Sequence, residues 1–445
     1  MVNLHLDKKL QNKLICFILV YLVIFFLCLL KLKNFNFTFY DTGYYFQFLN
    51  NIKTNYKIII NNNARFFFYP ISYLLNLFSE KIIFAFLIFI SLTPIFFLKK
   101  KLSLFAYFFL PTLWFTNLNG INLDVFSLPI LAYLMTLIDK QFDYRHYFLF
   151  FLLISIKFLF ILLVIGFLIF GLINKKISFN RFFFIFLITL IIYFLFFFFK
   201  VININDLNHL ISTDQHKKYF TIKKLITFIS FFTSTLFLNF KNKKIFIFTP
   251  YFLFLFLTGS ENYFVFYYHY LMPIYLILIM INDNNDLTFK KINYKVAYFI
   301  LVLNHILISP SPISILFNFK IKSMYYKNNY FGERNLLMDK KLDELKNTRI
   351  LMTNIFLGSK IYKNNNKVSI FYNNKNINDF EYFIFSKKNI LFYGDQKCIE
   401  QDLKCQINDP IKKKITGIEN SVKKISSIFY QDKLIIIYRN NKFNM

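Results

Sequence analysis

The chain has 445 residues, of which 56% are hydrophobic and 22% aromatic, and a formal net charge of +30. A mean hydropathy of +0.45, with apolar runs recurring at close to the ~20-residue length of a membrane crossing, excludes an ordinary soluble domain. Lysine is scattered through loops and run ends rather than grouped, so codon bias and the bias of positive charge toward the cytoplasmic side account for the excess, and a nucleic-acid partner is not expected.

The first apolar run, 14–32, follows Lys8, Lys9 and Lys13 and has no small-residue cleavage site, which predicts a retained helix with a cytoplasmic N-terminus. Residues 33–65 then form an outer loop carrying Asp41. The stretch 66–79 is short and interrupted by Pro70, and reads as an interfacial helix. Spans follow at 82–98, 102–117 and 121–138, with Lys99, Lys100 and Lys101 turning inside, 117–122 outside, and 139–146 inside again. The run 147–174 is interrupted once, at Lys157, and basic residues flank both of its ends. A hairpin with Lys157 at its outer tip satisfies the charge rule better than one long helix.

Further spans are read at 182–199, 225–240, 245–258, 266–282 and 296–310, with basic turns at 241–244 and 290–295 inside. The sum is a polytopic α-helical membrane protein of about eleven transmembrane helices, N-terminus in and C-terminus out. After residue 310 the apolar runs shorten to strand length, at 349–354, 368–372, 382–386, 390–393, 427–430 and 433–438. Leucines at helical spacing mark 335–347, and Gln431-Asp432 marks a hairpin turn. Two domains are therefore expected: a multi-span domain, 1–310, whose first outer loop (33–80) carries chemistry, and a small extracytoplasmic α/β domain, 311–445. Cys398 and Cys405 form a disulfide if that domain meets an oxidising compartment, whereas Cys16 and Cys28 lie within the first apolar run.

No phosphate-binding glycine loop, dinucleotide fingerprint, H-E-x-x-H helix or zinc-spaced Cys/His set is present, so ATPase, dinucleotide-enzyme and zinc-protease readings lose their usual support. What remains is a set of polar residues assigned to one membrane face: Asp41, Gln47, Arg65, Asp124, Lys157, Glu261 and His269. Charge in or near a span costs ~2.5–3.5 kcal/mol on insertion scales and is a functional candidate by default. Asp41 suits a general base taking the proton of an acceptor hydroxyl. Lys157 or Arg65 suits a cation holding a lipid-linked phosphate, and His269 suits binding or protonating it. Each has a plainer reading: Asp41 as the N-cap of a helix starting at Thr42, Lys157 as a side chain reaching for water from an apolar helix, and His269 as one of an interfacial belt of aromatics.

The segment Tyr40-Asp41-Thr42-Gly43-Tyr44-Tyr45-Phe46-Gln47-Phe48-Leu49-Asn50 resembles the F-D-x-G-x-x-x-Q-x-x-W-N element that opens the DUF2079 family of membrane proteins. Pro70 to Leu75 resemble its next element, with Phe67 in place of the family histidine. Residues 119–131 resemble a third through Pro129, with Gly120, Asn122 and Asp124 where the family has Asp, His and Glu. Lys157 matches the lysine of a K-E-D element whose acidic pair is Phe158 and Leu159 here, and His269-Tyr270 with Pro273 resembles a later H-Y…P element. The strands at 349–354 and 380–386 resemble the family's outer domain.

That family resembles in turn the GT-C glycosyltransferases, which use polyprenyl-phosphate sugars. The resemblance implies a GT-C-like membrane glycosyltransferase in the plasma membrane, moving a sugar from a lipid-linked donor to a saccharide, lipid or protein acceptor at the outer face with inversion at the anomeric carbon. Asp41 is then the catalytic base, Gln47, Arg65, Asp124, Lys157 and His269 bind substrate, and a divalent cation is left open as a cofactor. The competing expectation is a non-enzymatic transporter, flippase or scaffold for lipid-linked saccharides. A transporter calls for interrupted helices in both halves; Pro94, Pro111 and Pro129 suggest interruptions in the first half only, which favours the enzyme. A third reading makes the tail the active part and the spans an anchor.

Overall fold

The computed structural model describes residues 8–33, 78–118, 122–198, 225, 227–230, 233, 242–257, 269–284, 293–309, 336–352, 367–370, 377–386, 410–432 and 435–443. Asp41, Gln47, Arg65, Glu261, Cys398 and Cys405 lie outside these residues, as do most of the interfacial stretch 66–79 and the strand expected at 390–393. The chain divides into two compact units, one of residues 1–26, 58–118 and 122–314 and the other of residues 27–57, 119–121 and 315–445.

The larger unit is helical. Helix α1, Lys8–Lys33, contains the one segment among the described residues that is long and apolar enough to cross a membrane, Leu10–Leu30. The other apolar helices are shorter, because several of the runs expected as single spans are built from pieces. Helix α2, Glu80–Leu92, passes at Pro94 into a 3-10 turn, Thr93–Phe97. The run at 102–117 becomes α3, Lys101–Phe108, and α4, Pro111–Leu118. Proline has no N–H to give an interior turn and clashes with the preceding one, but fits the first position of a new helix. A 3-10 turn, Leu123–Phe126, leads into α5, Ser127–Leu137. Then come α6, Tyr144–Ile156, α7, Ile161–Ile173, and α8, Phe179–Phe198.

Helix α9, Thr249–Leu257, follows the turn Lys243–Ile247; α10, Met272–Asn284, follows the turn His269–Leu271; and α11 is Tyr294–Ile308. Pro250 and Pro273 sit second in α9 and α10, each just after a 3-10 turn. Proline-opened helices therefore occur in both halves of the unit, which corrects the expectation drawn from Pro94, Pro111 and Pro129.

The hairpin expected over 147–174 is present. The N–H of Phe142, before α6, donates to the carbonyl of Lys176, after α7, at 3.0 Å, and the Phe150 and Phe167 rings meet at 5.6 Å. Helix α10 is buried from Met272 to Asp283, as befits the centre of a bundle. Peripheral helices instead expose apolar stripes at helical spacing: Ile15, Ile18, Leu19, Leu22 and Phe26 on α1, and Val296, Phe299, Leu303 and Leu307 on α11.

Several turns expected on the cytoplasmic side are tied to one another. The Asp283 carboxylate accepts from the backbone N–H of Lys99 (2.7 Å) and Lys100 (2.8 Å). Lys244 pairs with Asp139 at 2.8 Å, and the Lys176 ammonium donates to the Asp139 carbonyl at 2.6 Å. Asp143 caps α6, its side chain accepting from the N–H of Arg145 and His146.

The smaller unit holds α12, Leu336–Glu344, α13, Pro410–Ile425, and a five-stranded sheet of order β2-β1-β3-β5-β4. Its strands are β1 Arg349–Met352, β2 Lys367–Ile370, β3 Tyr382–Ser386, β4 Ser426–Gln431 and β5 Ile435–Asn440. Strands β2, β1 and β3 run parallel, and β5 returns antiparallel to β3 and β4. Asp432 closes the β4–β5 hairpin, its carboxylate accepting from the Ile435 N–H at 2.7 Å. Leu351, Phe383, Phe385, Ile436 and Tyr438 form a core on one face of the sheet, to which α13 adds Val422 and Ile418.

Candidate functional site

The site is assembled from three segments of the larger unit. Asp124 lies in the 3-10 turn before α5. The Asn122 side chain accepts the Asp124 N–H at 3.0 Å, and the Ser127 hydroxyl donates to the Asp124 carbonyl at 2.6 Å. Those two bonds fix the backbone and leave the carboxylate to point elsewhere.

Lys157 lies at the joint of the α6–α7 hairpin. Its backbone is extended (φ −152°, ψ 123°), and its N–H closes the last turn of α6 on the Leu153 carbonyl at 3.2 Å. Its carbonyl in turn accepts from the Phe160 N–H at 2.9 Å, which starts the short turn into α7.

The Lys157 ammonium stands 2.5 Å from Asp124 Oδ2, and the two residues are 3% and 4% exposed. It also lies over the Tyr270 ring, 4.0 Å from the centroid, and 5.8 Å from that of Phe160. Tyr251 holds this aromatic cover in place, its hydroxyl donating to the Tyr270 carbonyl at 3.1 Å while its ring packs 5.9 Å from Phe160. A buried ammonium is tolerated when a carboxylate neutralises it and aromatic faces replace part of its hydration. The result is a neutral but strongly polar couple, able to meet a hydroxyl, a phosphate or a proton once it is opened.

Asp124, Lys157 and Tyr270 mark one end of the unit. Helices α5 and α10 both start beside the couple and run away from it, and the α6–α7 hairpin returns to its base at Phe142 and Lys176. The opposite end holds Asp139, Asp143 and Asp283 with their basic and backbone partners. Helices of 11 and 13 residues separate the two ends by roughly 15–20 Å.

Two of the residues proposed from sequence, Asp124 and Lys157, are thus brought together. The sequence reads Lys157 as the tip of the hairpin, with a plainer reading as a side chain reaching for water. It is at the tip, and it is buried there and bonded to Asp124, which removes the plainer reading. His269 opens its turn, though its side chain is outside the described residues; its neighbour Tyr270 is the residue that covers Lys157. Asp41, Gln47, Arg65 and Glu261 are not described. Among the described residues no three side chains of His, Cys, Asp or Glu converge as a metal-holding set.

Sequence reasoning passed over Tyr251 and Phe160, whose role exists only through packing. It also passed over His305, which is buried in α11 with Nδ1 at 3.0 Å from the Phe109 carbonyl and its ring between Phe109 and Trp114. A histidine inside an apolar run was the available signal. Asp283 at the end of α10 was missed likewise. Compared with protein-family models, curated proteins and solved structures, the chain matches none.

Proposed function

We propose that the protein is a multi-pass membrane glycosyltransferase of GT-C-like architecture, acting on a polyprenyl-phosphate-linked sugar at the outer face of the plasma membrane. The observation that carries this reading is the Asp124–Lys157 couple under Tyr270. Three positions picked out by separate motif resemblances meet in one buried polar site. In this reading Asp41 is the base that deprotonates the acceptor, with Gln47 beside it in the same loop. Lys157, with His269 or Arg65, binds the departing lipid phosphate. Asp124 holds Lys157 between turnovers.

The membrane part of the reading draws on three features. Helix α1 has the length and composition of a span, α8 and α11 expose apolar stripes suited to lipid, and runs broken by proline or Lys157 remain apolar throughout. Lys99–Lys101, Lys140, Lys175, Lys176, Lys243 and Lys244 gather at the end away from the couple, which the charge rule assigns to the cytoplasm. That orientation puts Asp124 and Lys157 outward, and about eleven spans with an extracytoplasmic α/β unit complete the topology.

The test is transfer by the purified protein in liposomes carrying polyprenyl-phosphate sugars and candidate acceptors, read as release of polyprenyl phosphate. Asp41→Asn is expected to lower the rate by about 10²–10⁴-fold. A wild-type protein that releases nothing from any donor would remove the transferase reading.

The second reading, a transporter or flippase for lipid-linked saccharides, is favoured by one observation. The helices opened by Pro250 and Pro273 begin beside Tyr251 and Tyr270, which build the cover over a buried ion pair, and discontinuous helices at a charged site are how many transporters are built. Movement of a labelled lipid-linked saccharide between leaflets, without transfer and lost in Lys157→Met, would put that reading first.

A further inference from the structure

We propose that the Asp124–Lys157 pair decides the topology of the segment 144–173, holding at Lys157 a hairpin that the basic residues at both ends favour but that the apolar residues on either side of the joint would not form by themselves. The proposal rests on the membrane reading above but not on any catalytic activity.

The break at Lys157 has no local cause. Helix breaks are ordinarily traced to proline, glycine, a bulge or an inserted side chain, and from Tyr144 to Ile165 there is neither proline nor glycine. The residues on both sides, Leu152-Leu153-Ile154-Ser155-Ile156 and Phe158-Leu159-Phe160-Ile161-Leu162, would continue a helix in lipid. What distinguishes the joint is its lysine, whose ammonium is drawn 2.5 Å from a carboxylate belonging to another segment and is covered by Tyr270 from a third.

The two outcomes differ in where the charge ends. A helix unbroken from 144 to 173 would be about 45 Å long, with Lys157 close to its middle. It would then hold an ammonium near the centre of the hydrocarbon layer, where charge is least tolerated. In the observed hairpin each arm has 13 residues, the joint reaches Asp124, and the ends return together through the Phe142–Lys176 bond. Lysine 157 thus makes the long helix unfavourable, and Asp124 makes the hairpin favourable.

The experiment is cross-linking in sealed membranes. Cys16, Cys28, Cys398 and Cys405 are replaced by Ala, and Gln141→Cys and Lys175→Cys are introduced at two exposed positions whose segments touch, the Gln141 amide lying 3.4 Å from the Lys175 carbonyl. With the native pair intact, a short bifunctional maleimide should join the two cysteines, and both should react with an impermeant maleimide from the same side. With Lys157→Leu the ends of a single span would stand about 50 Å apart. The cross-link should then be lost and the two cysteines should label from opposite sides. The swap of Asp124→Lys with Lys157→Asp should restore the cross-link, and it decides the matter if Lys157→Leu does not accumulate.

Retention of the cross-link and of one-sided labelling in Lys157→Leu would overturn the proposal, and so would a swap that fails to restore them. Absence of the cross-link in the parent would instead overturn the hairpin and the membrane reading beneath it.

Discussion

Gly166 of α7 approaches the Ile247 carbonyl so closely that a β-carbon on it would stand 1.9 Å from that oxygen. The contact is with backbone on a 3-10 turn, so neither side can yield by turning a side chain. Gly166→Ala should therefore push α7 off the turn Lys243–Ile247 and destabilise the fold by about 1–3 kcal/mol. Gly417, in α13, has nothing within 4 Å of a β-carbon, and Gly417→Ala should be neutral or stabilising by up to about 1 kcal/mol. Thermal unfolding of the two detergent-solubilised variants checks both, and equal effects would contradict the packing argument.

The Asp124–Lys157 pair should behave as one unit. Removing one partner, by Asp124→Leu or Lys157→Met, leaves a buried charge without its counter-ion and should cost about 3–5 kcal/mol. Removing both together should cost clearly less than the sum, since no charge is then stranded. A double-mutant cycle on unfolding midpoints measures the difference, and additive losses would mean the ions do not interact.

Asp283 joins the end of α10 to the start of α3 by accepting two backbone N–H groups. Asp283→Ala should lose that bridge at a cost of about 0.5–2 kcal/mol, the usual range for a lost cap. Asp283→Asn, which keeps one accepting oxygen, should fall between. The check is the order of the three melting temperatures.

Asp143 supplies an acid-side prediction. The His146 side chain first, then the backbone N–H groups of His146 and Arg145, hold its carboxyl below the ordinary 3.8. A carboxyl depressed in the folded state adds stability that is complete above the unfolded value and is lost as pH falls from there through the folded one. Asp143→Ala should therefore flatten the stability curve below about pH 4. Unfolding midpoints across that range are the measurement.

Much of the architecture was legible because its causes are local. A basic cluster before an uninterrupted apolar run marked α1. Pro111 marked the opening of α4, whereas Pro250 and Pro273, which sit at the openings of α9 and α10, were not read as helix starts. Charge at both ends of 147–174 marked the hairpin, and alternating short runs marked the strands, with Gln431-Asp432 between β4 and β5. Helix α13 was missed although Ile411, Ile415, Ile418, Val422 and Ile425 repeat at helical spacing.

Asp124 and Lys157 each stood out in the sequence as charges in apolar company, since such residues are costly and need a reason. That they neutralise each other was not legible. They are 33 residues apart, and their meeting depends on how the hairpin packs beside α5. The same holds for Tyr270, which covers the lysine where His269 was expected to act, and for the parallel order β2-β1-β3. By itself the sequence determined where some helices and strands start, such as α1 and the β4–β5 hairpin, because charge flanks, turn residues and apolar periodicity act within a few residues. The tertiary structure decided which buried charge faces which, because that pairing is set by the packing of distant segments.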